Sequence, residues 1–324
     1  MTQPSQNNPV KIFKRHVNRL ALSMISYEFI LIIVTFIWLM FSSLGQGLLN
    51  NASADAVTAA GIETASSNGW PYIFGALIAM AIAMAFRKRR QLQEDLTHIR
   101  LPMRPYVFFI FFALIMAVQL VNRFFVAGME ASLNALGYSM AESMQSLEHI
   151  GSSVSMFLYV VIFGPVAEEV VFRGIVLRSL EKYGKVFAIV FSSIGFGLMH
   201  GNLYQGLFAF GVGLILAYVA CEYSFKWAVV IHVLNNLLFG EAVLFLSNRF
   251  GENTIAAVLL ALYFVATVFA AIVLIKNKAD IRAYLQTNRT EKGVYRAAFS
   301  SIFFVVYVVL NLILIRVSIT KFIG

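Results

Sequence analysis

Hydrophobic positions in this chain do not alternate with polar ones. They gather into runs of about fifteen to twenty-five residues, separated by short polar or basic stretches. Runs of that length, with no two-residue period, predict membrane-crossing helices rather than barrel strands. The runs fall at about Leu20–Leu44, Trp70–Phe86, Tyr106–Val126, Ser155–Leu177, Phe187–His200, Leu203–Cys221, Trp227–Leu246, Thr254–Ile275 and Ala297–Ile315. The pattern therefore predicts an all-α polytopic helical membrane protein of about nine transmembrane spans. Residues 1–19 read as a cytoplasmic basic tail, polar and then basic and partly disordered. Residues 20–149 hold spans 1–3, and 150–246 spans 4–7. Residues 247–324 complete the chain with spans 8–9. Between spans 1 and 2, Gly45–Gly69 has no Lys or Arg and reads as an external loop. Residues 91–104 read as an internal connection, and 127–150, with Glu130, Glu142 and Glu148, as an external segment with room for an amphipathic surface helix.

Composition sharpens this picture. Of 324 residues, 60% are hydrophobic and only 13% charged, and the mean hydropathy is +0.78, far outside the soluble range. A net charge of +9 raises the possibility of a nucleic-acid partner. Its distribution argues against one. All of the 25 Lys and Arg except Arg123, Arg249, Arg316 and Lys321 fall on one side of the predicted membrane, the asymmetry that the positive-inside bias produces. The partner implied is the lipid bilayer, with the N-terminus cytoplasmic. The single cysteine, Cys221, excludes an intrachain disulfide and a Cys-based zinc site. Ala52-Ser53-Ala54 mimics a signal cleavage site, but Leu20–Leu44 is too long for a signal core and reads as a retained span.

Against that background, ionisable residues inside apolar runs stand out. A charge at bilayer depth costs roughly 2.5–3.5 kcal/mol even on lenient scales and persists where it pairs, faces water or does chemistry. Span 4 carries Glu168 and Glu169 side by side, with Arg173 four residues after the second. The i,i+4 spacing lets Glu169 and Arg173 pair, while Glu168, rotated by about 100°, points elsewhere. Gly164-Pro165 just before them predicts a kink. His200 closes span 5 between Gly197 and Gly201. In span 7, His232 and Asn236 share a face at i,i+4, and Asn235 points away. Reflecting Glu168 through a turn near Tyr183-Gly184 brings it level with His200. His232 lies at a compatible depth past the turn near Ser224, so the three groups are expected to meet in the cytoplasmic half of the membrane, with the tip 178–185 projecting beyond it.

Three motifs carry a resemblance: Glu-Glu-x-x-x-Arg at 168–173, Phe-x-x-x-His at 196–200 and His-x-x-x-Asn at 232–236. Their order and spacing resemble those of the CAAX-processing and bacteriocin-processing (CPBP, or Abi) intramembrane proteases over roughly residues 150–245. The resemblance implies a CAAX-protease-like helical core at 150–246 holding a polar cavity. It also implies peptide-bond hydrolysis, with catalytic roles for Glu168, Glu169, Arg173, His200, His232 and Asn236. Amide hydrolysis needs a water, a base and an oxyanion stabiliser. Glu168 aided by His200 suits the base, and His232 with Asn236 the oxyanion donors. A second scheme puts a divalent metal such as Zn²⁺ on Glu168, His200 and His232; both schemes stay open, since no His-Glu-x-x-His motif is present.

Blander roles also stay open: a structural Glu169–Arg173 pair, interhelical hydrogen bonding by either histidine, and helix bonding by Asn236. Glu28 and Glu241 also fall in apolar runs without an evident partner and read as structural residues or gates. Tyr159, Gln205 and Trp227 are candidate cavity lining. The expected function is an intramembrane endopeptidase acting on a membrane-associated protein or peptide in a bacterial cell membrane. A bacteriocin precursor or pheromone is a more natural substrate there than a prenylated protein. The alternatives are a non-proteolytic scaffold or bacteriocin-immunity protein, and an ion-coupled transporter, against which the lack of an internal repeat counts.

Overall fold

Lipid offers backbone groups no hydrogen-bond partners, so each apolar run must satisfy its own as helix. The computed structural model describes residues 9–49, 53–140 and 153–321 and shows this throughout. Helix α1 (Pro9–Leu49) is followed by α2 (Ala54–Ser67), α3 (Trp70–Met84) and α4 (Arg89–Thr97), then by α5 (Pro105–Ala135). The central helix α6 (Val154–Tyr183) comes next. After it come α7 (Lys185–Met199), α8 (Leu203–Glu222), α9 (Phe225–Phe250) and α10 (Glu252–Lys276). The chain closes with α11 (Lys278–Thr287), α12 (Val294–Phe299) and α13 (Ile302–Val317). A two-residue antiparallel pairing of β1 (Tyr138–Ser139) with β2 (Thr320–Lys321) ties the end of α5 to the end of the chain.

Among the described residues, six helices are long and apolar enough to cross a membrane: α1, α5, α6, α8, α9 and α10. The count rises to seven if α3 and α4, bent by 113°, form one broken span. Helices α7 and α13 are apolar but shorter. The chain is an all-helical integral membrane protein, with an apolar helix at each of the nine expected runs.

Several segments differ from expectation. Residues 9–19, expected in a tail, are the first turns of α1, because Phe13 and Val17 are buried and the Phe13 ring packs on Tyr183 at 4.6 Å. The loop after α1 contains α2, in keeping with the helix propensity of its alanines. The basic stretch 276–296 holds α11 and the start of α12. The expected external segment keeps helix as far as Ala135; Glu142 and Glu148, like tail residues 1–8, lie outside the described residues.

Helix α6 is the hub. Every residue from Val170 to Leu180 is buried, as an all-round apolar helix must be when it is enclosed by others. The tip 178–185 does not project freely. Arg178 donates to Ala220 O at 2.7 Å and to Glu181, and Arg100 donates to Cys221 O at 2.7 Å and to Glu181. Lys185 pairs with Glu222 at 2.6 Å, and Tyr284 donates to the same carboxylate. These bonds gather the start of α7, the ends of α6 and α8, and α11 into one charged rim.

Helices α7 and α8 form a tight hairpin. A Cβ on Gly197 would come within 2.7 Å of Gly206 O, so the two backbones touch, as small residues permit in membranes. At the turn itself Gly201 takes φ +64°, a conformation that L side chains rarely adopt. Gly197→Ala is expected to force the two helices apart and cost about 1–3 kcal/mol, measured as a lower thermal midpoint of the purified protein in detergent micelles.

Candidate active site

The local helix geometry around the site departs from the α form in three stretches. The turns at Tyr159–Phe163 and Val170–Leu177 of α6, and at Leu237–Glu241 of α9, are π-helical. Pro165 supplies no N–H, and the widened turn before it accommodates this: Gly164 N–H bonds to Tyr159 O, five residues back. The expected kink is thus a pair of π turns flanking Gly164–Glu169. Such turns re-aim side chains and are frequent at functional sites.

Glu168 and Glu169 diverge as their spacing requires. Glu169 has no accessible side-chain surface, and neither has Arg173, which it meets at 2.9 Å. The same Glu169 oxygen accepts from His232 Nδ1 at 2.9 Å. Arg173 also donates to Gly213 O at 3.3 Å and lies 4.3 Å over the Phe196 ring. Two cationic or hydrogen-bonding groups from α6 and α9 therefore converge on one buried carboxylate oxygen, and the other oxygen meets no donor.

Glu168 keeps 18% of its side chain accessible and faces a cavity of about 510 Å³. His200, His232, Asn235 and Asn236 line the same cavity. Helices α6, α7 and α9 thus bring together Glu168, His200, His232 and Asn236, while Glu169 and Arg173 stand behind the wall. Of the other candidates, Tyr159 and Gln205 line the cavity. Trp227 does not; it packs on Phe108. Glu28 has a partner after all, accepting from Asn311 Nδ2 at 3.1 Å. Asn235, expected to point away, lines the cavity and donates to Asn236 Oδ1 at 3.0 Å, because it stands three residues after His232 on the same α-helix and so falls on nearly the same face.

Hydrogen bonds determine what each imidazole can offer. His200 Nδ1 lies 2.9 Å from Phe196 O, a carbonyl that only accepts, so Nδ1 carries the proton and Nε2 is free. His232 Nδ1 faces the Glu169 carboxylate, which likewise accepts; its Nε2 is turned to Glu168 Oε2 at 3.7 Å. Asn236 is committed through its amide to Val160 O at 2.9 Å, fixing the first π turn, which leaves one of its two amide hydrogens for another acceptor. Phe196 is a residue whose part was not foreseen. Its carbonyl holds His200, its face carries Arg173, and its ring meets both imidazoles edge to face at 5.0 and 5.6 Å. The i,i+4 spacing of Phe196 and His200 was the signal that could have revealed it.

Glu168 and His232 have a spacing that suits two ligands of one ion. Among the described residues, however, no three His, Cys, Asp or Glu side chains converge closely enough to hold a metal. Glu168, His200 and His232, the expected ligand set, line the same cavity.

Residues 150–238 match the family model described as type II CAAX prenyl endopeptidase Rce1-like. Over that stretch the chain is similar to this family. The stretch contains every residue of the cavity motifs and supports a hydrolase, specifically an intramembrane protease. No curated protein and no solved structure matches the chain.

Breaking one side of a buried pair strands a charge, whereas removing both sides does not. Glu169→Leu and Arg173→Met are each expected to lower stability by about 3–5 kcal/mol. The double variant should lose clearly less than the sum, measured by a double-mutant cycle of unfolding in detergent.

Proposed function

We infer that the chain is an intramembrane endopeptidase that hydrolyses a peptide bond in a membrane-associated protein or peptide, with water activated by Glu168. The observation that carries this reading is that an accessible carboxylate and two imidazoles with outward Nε2 atoms line one cavity of about 510 Å³ enclosed by apolar helices. The Rce1-like match over the same residues supports it.

The chemistry follows from those groups. Glu168 takes a proton from water as the oxygen attacks the carbonyl carbon of the scissile amide. His200, with Nδ1–H tied to Phe196 O, presents a lone pair that holds and orients this water. Negative charge develops on the carbonyl oxygen and needs preorganised donors. Asn236 supplies the amide hydrogen not used by Val160 O, beside the His232 ring, whose Nδ1 is held at Glu169 and whose Nε2 edge faces Glu168. The tetrahedral intermediate collapses when Glu168 returns its proton to the leaving nitrogen. Arg173 neutralises Glu169, and Glu169 fixes the His232 ring; these two act as positioning residues.

Cleavage of a fluorogenic single-span peptide by the purified chain in proteoliposomes tests the reading. Glu168→Gln and His200→Ala are each expected to lower kcat at least a hundredfold with normal protein level and folding. Glu169→Gln is expected to retain measurable turnover. Activity should survive exhaustive chelation; loss restored by Zn²⁺ would return the metal scheme. Full biological activity of both Glu168→Gln and His200→Ala would favour the scaffold, and ion flux without peptide the transporter.

A further inference from the structure

The reaction cavity is not a closed chamber. A second cavity, of about 620 Å³, shares Val160, Gln205, Phe208, Asn235 and Asn236 with it as a common wall. We propose that this second chamber is the channel by which the polar flank of a peptide substrate reaches Glu168, and that it opens on the membrane face opposite the charged rim. The proposal rests on the endopeptidase reading and extends it to the side from which substrate comes.

The fold fixes the direction. Helix α9 starts at the rim, where Arg100 N–H bonds to Tyr223 O, and α10 returns to it through α11, whose Tyr284 bonds Glu222. The α9–α10 turn at Gly251 therefore lies at the far end. Ser247, Asn248 and Glu252, which border that turn, line the second chamber. On α5, which also starts beside the rim, Arg123 lies about 27 Å along the axis at ~1.5 Å per residue. Glu241 on α9 lies about 24 Å along by the same rise. Both charges line the chamber.

The walls suit a polypeptide better than an acyl chain. Among the described residues neither Arg123 nor Glu241 makes a hydrogen bond or ion pair; Arg123 meets only the Tyr263 ring, at 5.6 Å. Charges of opposite sign without partners, in helices otherwise apolar, mark a polar ligand path. At the junction of the two chambers, Asn235 is 5% exposed and its Oδ1 meets no donor. A buried acceptor left open there fits a backbone N–H of an extended peptide passing from one chamber to the other. Charge asymmetry assigns the rim to the cytoplasmic face, so the channel mouth is extracytoplasmic.

Cysteine accessibility tests this, because the native thiol, Cys221, is buried. Ser247→Cys and Asn248→Cys, made separately in the full chain, are treated with a charged, impermeant maleimide in vesicles of each orientation. Lys278→Cys serves as the rim reference. The expected result is labelling of both mouth positions from the face opposite to that which labels Lys278→Cys. Labelling of Ser247→Cys should slow cleavage of the single-span reporter at least tenfold relative to the same variant unlabelled. In a Glu168→Gln background, saturating reporter should slow labelling at least threefold. Labelling from the same face as Lys278→Cys, or labelling indifferent to the reporter, would overturn the proposal. Protection by phosphatidylglycerol but not by reporter would overturn it too, giving the chamber to lipid. Sidedness and protection are read without turnover, so a chain that fails to cleave would refute the endopeptidase reading and still leave the channel decided.

Discussion

One buried carboxylate organises the helices around the cavity of this molecule. Glu169 has no contact with solvent, and its Oε1 is shared by Arg173 from its own helix and His232 from α9. Taking such charges out of water costs several kcal/mol per ion, and mutual attraction repays this only with good geometry. The Arg173 guanidinium recovers more by stacking on Phe196 and donating to Gly213 O. Helices α6, α7, α8 and α9 are thereby locked at one depth. The cavity-lining residues Glu168, His200 and His232 inherit their positions from that lock.

The cluster also explains a division of labour between adjacent glutamates. A helix turns by about 100° per residue, so neighbours cannot share an environment. Glu169 is spent on structure and on holding one imidazole by Nδ1, and Glu168 is left accessible in the cavity. His200 is held by the same device with a different acceptor, the Phe196 carbonyl. That carbonyl is available because His200 N bonds to Gly197 O instead, at the last turn of α7. Side-chain direction is set by backbone bookkeeping at helix ends, a constraint independent of the chemistry it serves.

The rest of the chain gives this core its boundaries. The charged rim seals one end through Arg100, Arg178, Lys185 and Glu222, and Glu28 and Asn311 join the first helix to the last. At the other end α5, α9 and α10 leave space between them, bounded by Arg123 and Glu241, which pair with no charge among the described residues. A molecule closed by ion pairs at one end and open among polar side chains at the other has a built-in direction. The expectation that the reactive groups sit in the cytoplasmic half took no account of that second cavity, which no single motif encodes.

Much of this was legible in the residues. Run lengths without a two-residue period determined that the chain is helical and embedded in lipid, because barrel strands are shorter and alternate and only helices and closed barrels satisfy their hydrogen bonds there. The i,i+4 spacing determined that Glu169 meets Arg173 and that Glu168 does not, and the reflection through Tyr183-Gly184 brought Glu168 near His200. Helical periodicity holds only while the helix stays α. The π turns at 159–163, 170–177 and 237–241 break that period, so a facing position cannot be carried through them from spacing alone. Nor could the second partner of Glu169, His232, be read from spacing, or the support that Phe196 gives to both imidazoles. Each depends on distances between separate helices, and those are set by packing in three dimensions, which a linear pattern does not contain.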